Sequence, residues 1–173
     1  RRFFLSADHL ISLTHSGVRG LERLPWLHDR MPPVSVIPTC ADLARFQPSR
    51  EPPEGLVLGY VGTVGTWYMF DETVAVFSEL LKLRPDARIL IVNRNEHDFI
   101  RDRLSAGGVP MDMVELLAAD HADMPRQMAR MTASVFFIKP VYSKQASAPT
   151  KLGELLGCGI PCLSNSGVGD MAD

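Results

Sequence analysis

From residue 56 onward, short continuous apolar runs alternate with segments of helical character, and this restricts the fold more than any other feature of the chain. The runs lie at 56–61, 89–92 and 135–138, with a weaker strand at 113–117 and a fifth at 161–164. Ile89, Leu90, Ile91 and Val92 form an unbroken hydrophobic stretch rich in β-branched residues. Strands of that kind are buried on both faces, as in parallel sheets, whereas a half-exposed strand alternates. Between them, Asp71 can cap a helix that carries Val74, Phe77 and Leu81 on one face, and Pro85 closes it. A polar helix is expected over 96–106, ended by Gly107 and Gly108. Another is expected over 122–131, with Met124, Met128 and Met131 at core spacing, and a last one over 150–158. Five strands joined by four helices give an α/β fold, a parallel sheet with flanking helices and right-handed crossovers. Ligands of such sheets bind at the carboxyl ends of the strands, so the informative residues follow Val61, Val92, Ile138 and Ser164.

The 173 residues suit one domain better than two, and 46% hydrophobic residues supply a sizeable core. Lys plus Arg is 18 and Asp plus Glu is 20, a net charge of −2. That balance excludes a generic nucleic-acid surface and leaves room for one cationic pocket. Cys40, Cys158 and Cys162 have neither disulfide pairing nor zinc spacing and read as apolar thiols. The first fifty residues differ from the rest. Residues 7–14 read as one strand, 16–29 as a helix interrupted by Pro25, and 34–38 as a short extended piece. The proline-rich stretch 47–55 reads as a linker. The chain opens on Arg1 without a signal-like segment and stops at Asp173 without a closing helix, so both ends are expected to be cuts in a longer protein.

Three loops could carry chemistry, one of them the glycine-rich stretch 165–170 that follows the last strand, after the 157–161 turn. Gly59, Gly62 and Gly65 punctuate a strand-to-helix turn that also holds Thr63 and Thr66. Glycines admit a phosphate or sugar close to the backbone, and successive N–H groups bind anions. The spacing is not the dinucleotide G-x-G-x-x-G, and Asn93 stands where an acidic residue would close the second strand. In the second loop, Ser147 or Ala148 takes the N-cap position and Pro149 the first helical turn, followed by Thr150 and Lys151. A cation in a first turn is mildly unfavourable unless an anion docks there. Glu154 lies one turn on, on nearly the same face, and a carboxylate accepts well from two vicinal hydroxyls. The competing interpretation of both residues is an ordinary solvated surface. Asp120, His121 and Asp123 could hold a metal or simply begin a surface helix, and no D-x-D pair, Walker motif or G-x-S-x-G elbow occurs.

Taken in order, these segments resemble the group 1 retaining glycosyltransferases of the two-domain GT-B architecture. Residues 7–16 look like that family's "ad-x-v-i-x-x-S" segment, and 34–42 with Phe46 and Pro48 like its "v-i-p-n-g-v-D…F-x-P" crossover. Residues 59–62 look like its "y-v-G" strand end, and 151–161 like its "l-E-a-m-A-x-G-x-P-V" signature. The resemblance implies a Rossmann-like parallel sheet, one truncated half of a GT-B fold. Residues 1–50 would be the tail of the acceptor domain and the interdomain linker. Residues 51–173 would be the donor-binding domain, incomplete at its C-terminus.

The implied function is binding of a nucleotide diphosphate sugar for retaining transfer to an acceptor hydroxyl. Donor-binding residues would be Gly62, Thr63, Gly65, Thr66, Asn93, Pro149, Thr150, Lys151 and Glu154, with Glu154 on the ribose. Departures from the family pattern are Ala146 at the first Glu of its E-x7-E motif, Thr63 at a frequent Arg, and no lysine within 64–68. Lys151, with Lys144 nearby, is therefore assigned the catalytic cation that offsets leaving-group charge. Trp67 and Tyr68 could contact sugar or acceptor, or simply pack. No protein-bound metal and no cofactor beyond the donor substrate are implied. The expected partners are the nucleotide sugar and, through the missing domain, a carbohydrate or glycolipid acceptor of polysaccharide assembly. The expected location is cytoplasmic, with room for attachment of the longer protein to the inner membrane face. The alternatives are a non-catalytic nucleotide-sugar-binding module and a sugar-nucleotide epimerase on the same architecture.

Overall fold

In a computed structural model of the chain, residues 1–51 and 53–172 are described. Pro52, within the stretch read as a linker, and Asp173, at the terminus read as a cut, lie outside the described residues. The chain divides into two compact units. One contains Arg1–Cys40, Lys139–Thr150 and the residues from Asn165 onward; the other contains Ala41–Ile138 and Lys151–Ser164.

The first unit holds a short helix α1 (Arg2–Leu5), strand β1 (Leu10–Ser12), helix α2 (His15–Glu22) and strand β2 (Val34–Val36). β1 and β2 pair in parallel, with Leu10 opposite Val34 and Ser12 opposite Val36. The strand expected over 7–14 thus shrinks to three residues, because Ser12 turns its hydroxyl to the Thr14 carbonyl at 2.8 Å and Thr14 caps α2. The Thr14 side chain accepts from the Gly17 N–H at 3.0 Å. Asp170 then accepts from the N–H groups of His15 at 2.6 Å and Ser16 at 2.8 Å. Partial burial opposes ionisation of Asp170, but the bonds from Ser16 and His15 outweigh it and hold its pKa below the usual range. The start of α2 is thus saturated by the chain's own side chains. α2 ends before Pro25, and a single 3-10 turn at His28–Arg30 replaces the rest of the expected helix.

The second unit contains β3 (Val57–Val61), α3 (Phe70–Leu83), β4 (Arg88–Val92), α4 (His97–Ala106), β5 (Val114–Leu117), α5 (Met124–Met128) and β6 (Ala133–Val135). α6 (Thr150–Gly157) starts at the boundary between the units, and β7 (Cys162–Leu163) completes the sheet. The strands lie in the order β5-β4-β3-β6-β7, all parallel. Tyr60, Phe77, Ile89, Ile91, Met128, Phe136 and Leu155 are fully enclosed between sheet and helices. Each such side chain contributes roughly 1.5–3 kcal/mol of transfer free energy.

Three local expectations need correction. Asp71 is not the cap of α3. The helix starts at Phe70, and Asp71 lies in its first turn, paired with Arg103 of α4. The helix expected over 122–131 is only Met124–Met128. It stops because Thr132 must enter the sheet: its N–H donates to the Val57 carbonyl, and its hydroxyl bonds Val57 N–H and the Gly55 carbonyl. Met128 and Met131 are still core residues. The fourth ladder strand lies at Ala133–Val135, two residues earlier than expected. Beyond it the Phe137 carbonyl takes the Met69 N–H, and Ile138 bridges antiparallel to Tyr68, so this segment fastens the loop before α3. No helix among the described residues is long and apolar enough to cross a membrane.

Candidate functional site at the carboxyl ends of the central strands

β3 ends at Val61, and Gly62 follows with φ of 105°, a conformation that L side chains rarely adopt. Its N–H remains in the ladder, donating to Val92 at 3.0 Å. The loop that follows is held from behind. Asn93, 2% exposed, donates its amide to the Gly62 carbonyl at 3.0 Å and to Glu96 at 2.8 Å. Its amide oxygen accepts the N–H groups of Asn95 at 3.1 Å and Glu96 at 2.7 Å. Glu96, flanking the start of α4, also accepts the Val64 N–H at 3.0 Å. The Tyr60 hydroxyl donates to the Thr63 carbonyl at 2.6 Å, and its pKa is raised by burial and by Tyr68 and Glu96. Asn93 therefore serves the loop through its side chain, and the loop's exposed polar side chains are Thr63 and Thr66, the latter with φ of 54°.

Lys151 enters this neighbourhood from the first turn of α6. Its Nζ donates to the Val61 carbonyl at 2.7 Å. The same atom lies over the rings of Tyr68 at 4.0 Å, Phe136 at 5.0 Å and Tyr60 at 5.1 Å. A Cβ on Gly62 would stand 3.1 Å from it. The residue as a whole stays partly exposed, while its Nζ lies among these three rings and the Val61 carbonyl. Among the described residues no carboxylate pairs with it. Burial alone lowers its pKa to about 7, since desolvation penalises the charged form. Its setting is three rings and one carbonyl, which partly compensate an ammonium through cation–π attraction and one charge-assisted bond.

Glu154, one turn along α6, has a side chain 13% exposed, and its Oε1 lies 3.3 Å from His121 Nε2. The structure thus gathers Gly62, Thr63, Gly65, Thr66, Asn93, Lys151 and Glu154 in the second unit. Pro149 and Thr150 lie immediately before Lys151 in the chain and belong, with Lys144, to the first unit. There the Thr39 hydroxyl donates to the Ala148 carbonyl at 3.1 Å, and Lys144 ends a 3-10 turn. Helix α6 opens at Thr150, so Pro149 flanks it and neither Ser147 nor Ala148 is its N-cap. From the sequence His121 reads only as a metal ligand or helix start beside Asp120 and Asp123, not as a partner of Glu154. Glu96, Tyr60 and Phe136 were not foreseen, and of these only Tyr60 carried a local signal, as a polar-tipped residue inside an apolar run.

No family model matches this sequence, and no curated protein does. Solved structures do. The GtfA/B complex superposes with a TM-score of 0.70 at 22% identity, covering 91% of this chain and 30% of that one. The pneumococcal O-GlcNAc transferase GtfA in complex with UDP and GlcNAc gives 0.68 at 16% identity, covering 92% and 30%. WaaG, a glycosyltransferase involved in lipopolysaccharide biosynthesis, gives 0.66 at 18%, covering 94% and 45%. The fold of this chain is one Rossmann-like half of the GT-B architecture. The chain spans less than half the length of each of these proteins. In this GT-B half the carboxyl ends of β3 and β4 carry the glycine loop and its buttress, and α6 supplies a cation to the same place. Among the described residues no three His, Cys, Asp or Glu side chains come together as a metal site.

Proposed function

We propose that this chain is the donor-binding half of a retaining glycosyltransferase, holding a nucleoside-diphosphate sugar at the carboxyl ends of β3 and β4. The observation that carries the reading is Lys151, an ammonium enclosed beside Gly62 with no carboxylate to neutralise it among the described residues. A buried cation without a counter-ion is costly, and an anionic ligand arriving at the glycine turn removes that cost. A diphosphate supplies such an anion, and GtfA, which shares the fold, is known in complex with UDP. On this reading Lys151 offsets the charge that grows on the departing diphosphate when the bond to the anomeric carbon breaks. Asn93 and Glu96 keep the loop in its ligand-ready geometry, and Glu154 receives the ribose. The acceptor is a carbohydrate or glycolipid hydroxyl, bound chiefly by a further domain of the protein, in cytoplasmic polysaccharide assembly.

Calorimetric titration with UDP, GDP and ADP tests the reading. One of the three binds, and Lys151→Ala weakens it about tenfold to a hundredfold, the worth of a charge-assisted contact. Wild-type protein that binds none of them sinks the proposal. A second reading, a binding module without transfer, is favoured by one observation. Ala146, at the position of the family's first Glu, packs against α2, where a Cβ on Gly17 would meet its methyl at 3.1 Å. Nucleotide binding without transfer of a labelled sugar from any donor would select that reading.

A further inference from the structure

Lys151 has a second chemical character, which the holding of phosphate does not use. Its Nζ makes one hydrogen bond, to the Val61 carbonyl at 2.7 Å, and otherwise faces the rings of Tyr68, Phe136 and Tyr60. The titratable side chains against it are Tyr60 and Tyr68, both kept neutral because burial raises their pKa. With its own pKa lowered to about 7 by desolvation, the amine is uncharged in about half of the molecules at that pH. A desolvated lysine in an apolar setting is a nucleophile. The way to it is the missing side chain of Gly62, which is itself only half-buried. A Cβ at that position would stand 3.1 Å from Nζ and 3.5 Å from Cε. Apart from the chain neighbours of Gly62, no other described residue comes within 4 Å of that point. The gap left by the glycine therefore opens onto the amine.

We infer that Lys151 captures small uncharged aldehydes as an imine when the site is empty, and that a nucleoside diphosphate at the glycine turn prevents the capture. The amine nitrogen bonds to the carbonyl carbon, the carbonyl oxygen takes up the two amine hydrogens and leaves as water, and C=N replaces C=O. No oxidant or reductant is consumed. Once protonated, the imine carries a positive charge that the three rings receive as they receive the ammonium. A bound diphosphate covers the turn and keeps Lys151 protonated, without a lone pair to attack. The capture depends only on the setting of the lysine; the protection rests on the donor-site reading.

The test treats the protein with formaldehyde and cyanoborohydride, which reduces the imine in place to methyl-lysine, and reads each lysine by peptide mass mapping. The reference is Lys82, exposed and paired with Glu79 at 2.6 Å. A neutral fraction roughly a thousandfold above that of an ordinary lysine is offset by the weaker nucleophilicity of a weaker base and by the enclosure. At pH 7 Lys151 should still be labelled at least about tenfold faster than Lys82, and in urea the two should be labelled alike. In the folded protein the Lys151 rate levels off above about pH 8, whereas in urea it keeps rising past about pH 9. Saturating UDP, GDP or ADP, whichever binds, slows Lys151 by about tenfold or more and leaves Lys82 unchanged. Lys151 labelled no faster than Lys82, or unaffected by a nucleotide that calorimetry shows to bind, overturns the inference and leaves the donor site standing. Fast labelling in a protein that binds none of the three supports the capture and brings down the donor-site reading, and the protection with it.

Discussion

Raising the pH should weaken nucleotide binding through Lys151 alone, and the size of the effect follows from its surroundings. Burial lowers the lysine pKa to about 7, so half of the unliganded protein carries the ammonium at that pH. A diphosphate placed against it favours the charged form and returns the pKa toward the ordinary lysine value of about 10.4. Between those limits binding takes up a proton, and affinity falls about tenfold for each pH unit above 7. At pH 8, close to nine tenths of a proton enters per ligand bound, on the order given by linkage. The ligand does not confuse the measurement, since a terminal phosphate with a second pKa of ~6 is fully ionised above pH 7.5. Calorimetry in buffers of different ionisation enthalpy measures both slope and proton count between pH 7.5 and 9. Lys151→Arg stays charged throughout and should abolish the slope. An affinity that is flat over this interval in wild-type protein refutes the reasoning, because the ammonium would then be indifferent to the ligand. The unliganded protein should respond with the opposite sign. The folded state releases the Lys151 proton near pH 7, while the unfolded chain keeps it to about 10.4, so stability rises with pH across that window. Lys151→Met, which removes the buried charge, should therefore raise the unfolding midpoint most at pH 6 and progressively less toward pH 10.

Two substitutions probe the supports. Gly62→Ala forces an alanine to φ of 105° and places a methyl 3.1 Å from Lys151 Nζ, so about 1–2 kcal/mol of stability and most of the nucleotide affinity should be lost in denaturant unfolding and titration. Asp170→Ala removes two bonds to the first turn of α2, and chemical denaturation should register a loss of about 1–2 kcal/mol at pH 7 that fades as the pH falls through the carboxylate range.

The sheet was legible because Ile89–Val92 and Val135–Ile138 are unbroken apolar runs, the pattern of strands buried on both faces. Segments whose limits depend on partners distant in the chain were not. α5 is cut short by the bonds of Thr132 to Val57 and Gly55, and the strand before Phe136 yields to a bridge with Tyr68. The candidate site divides in the same way. Gly62, Lys151 and Glu154 stand out by type and spacing. The environment of Lys151 comes from Tyr60, Tyr68 and Phe136, three rings that no local pattern connects. The sequence placed Asn93 among ligand contacts because it follows a strand end. The register of β3 against β4 sets it behind Gly62, where its amide donates to the Gly62 carbonyl and the Glu96 carboxylate.

The Asn93–Glu96 brace also bears on how a ligand is received. The amide of Val64 and the carbonyls of Gly62 and Thr63 already have protein partners before anything binds. A nucleotide meeting this turn need not freeze a wandering loop, so little conformational entropy is lost on association and complex formation should be close to rigid-body docking. The cost has been moved into folding, and on the proposed reading a change at Glu96 should show itself as slower and weaker capture of the nucleotide.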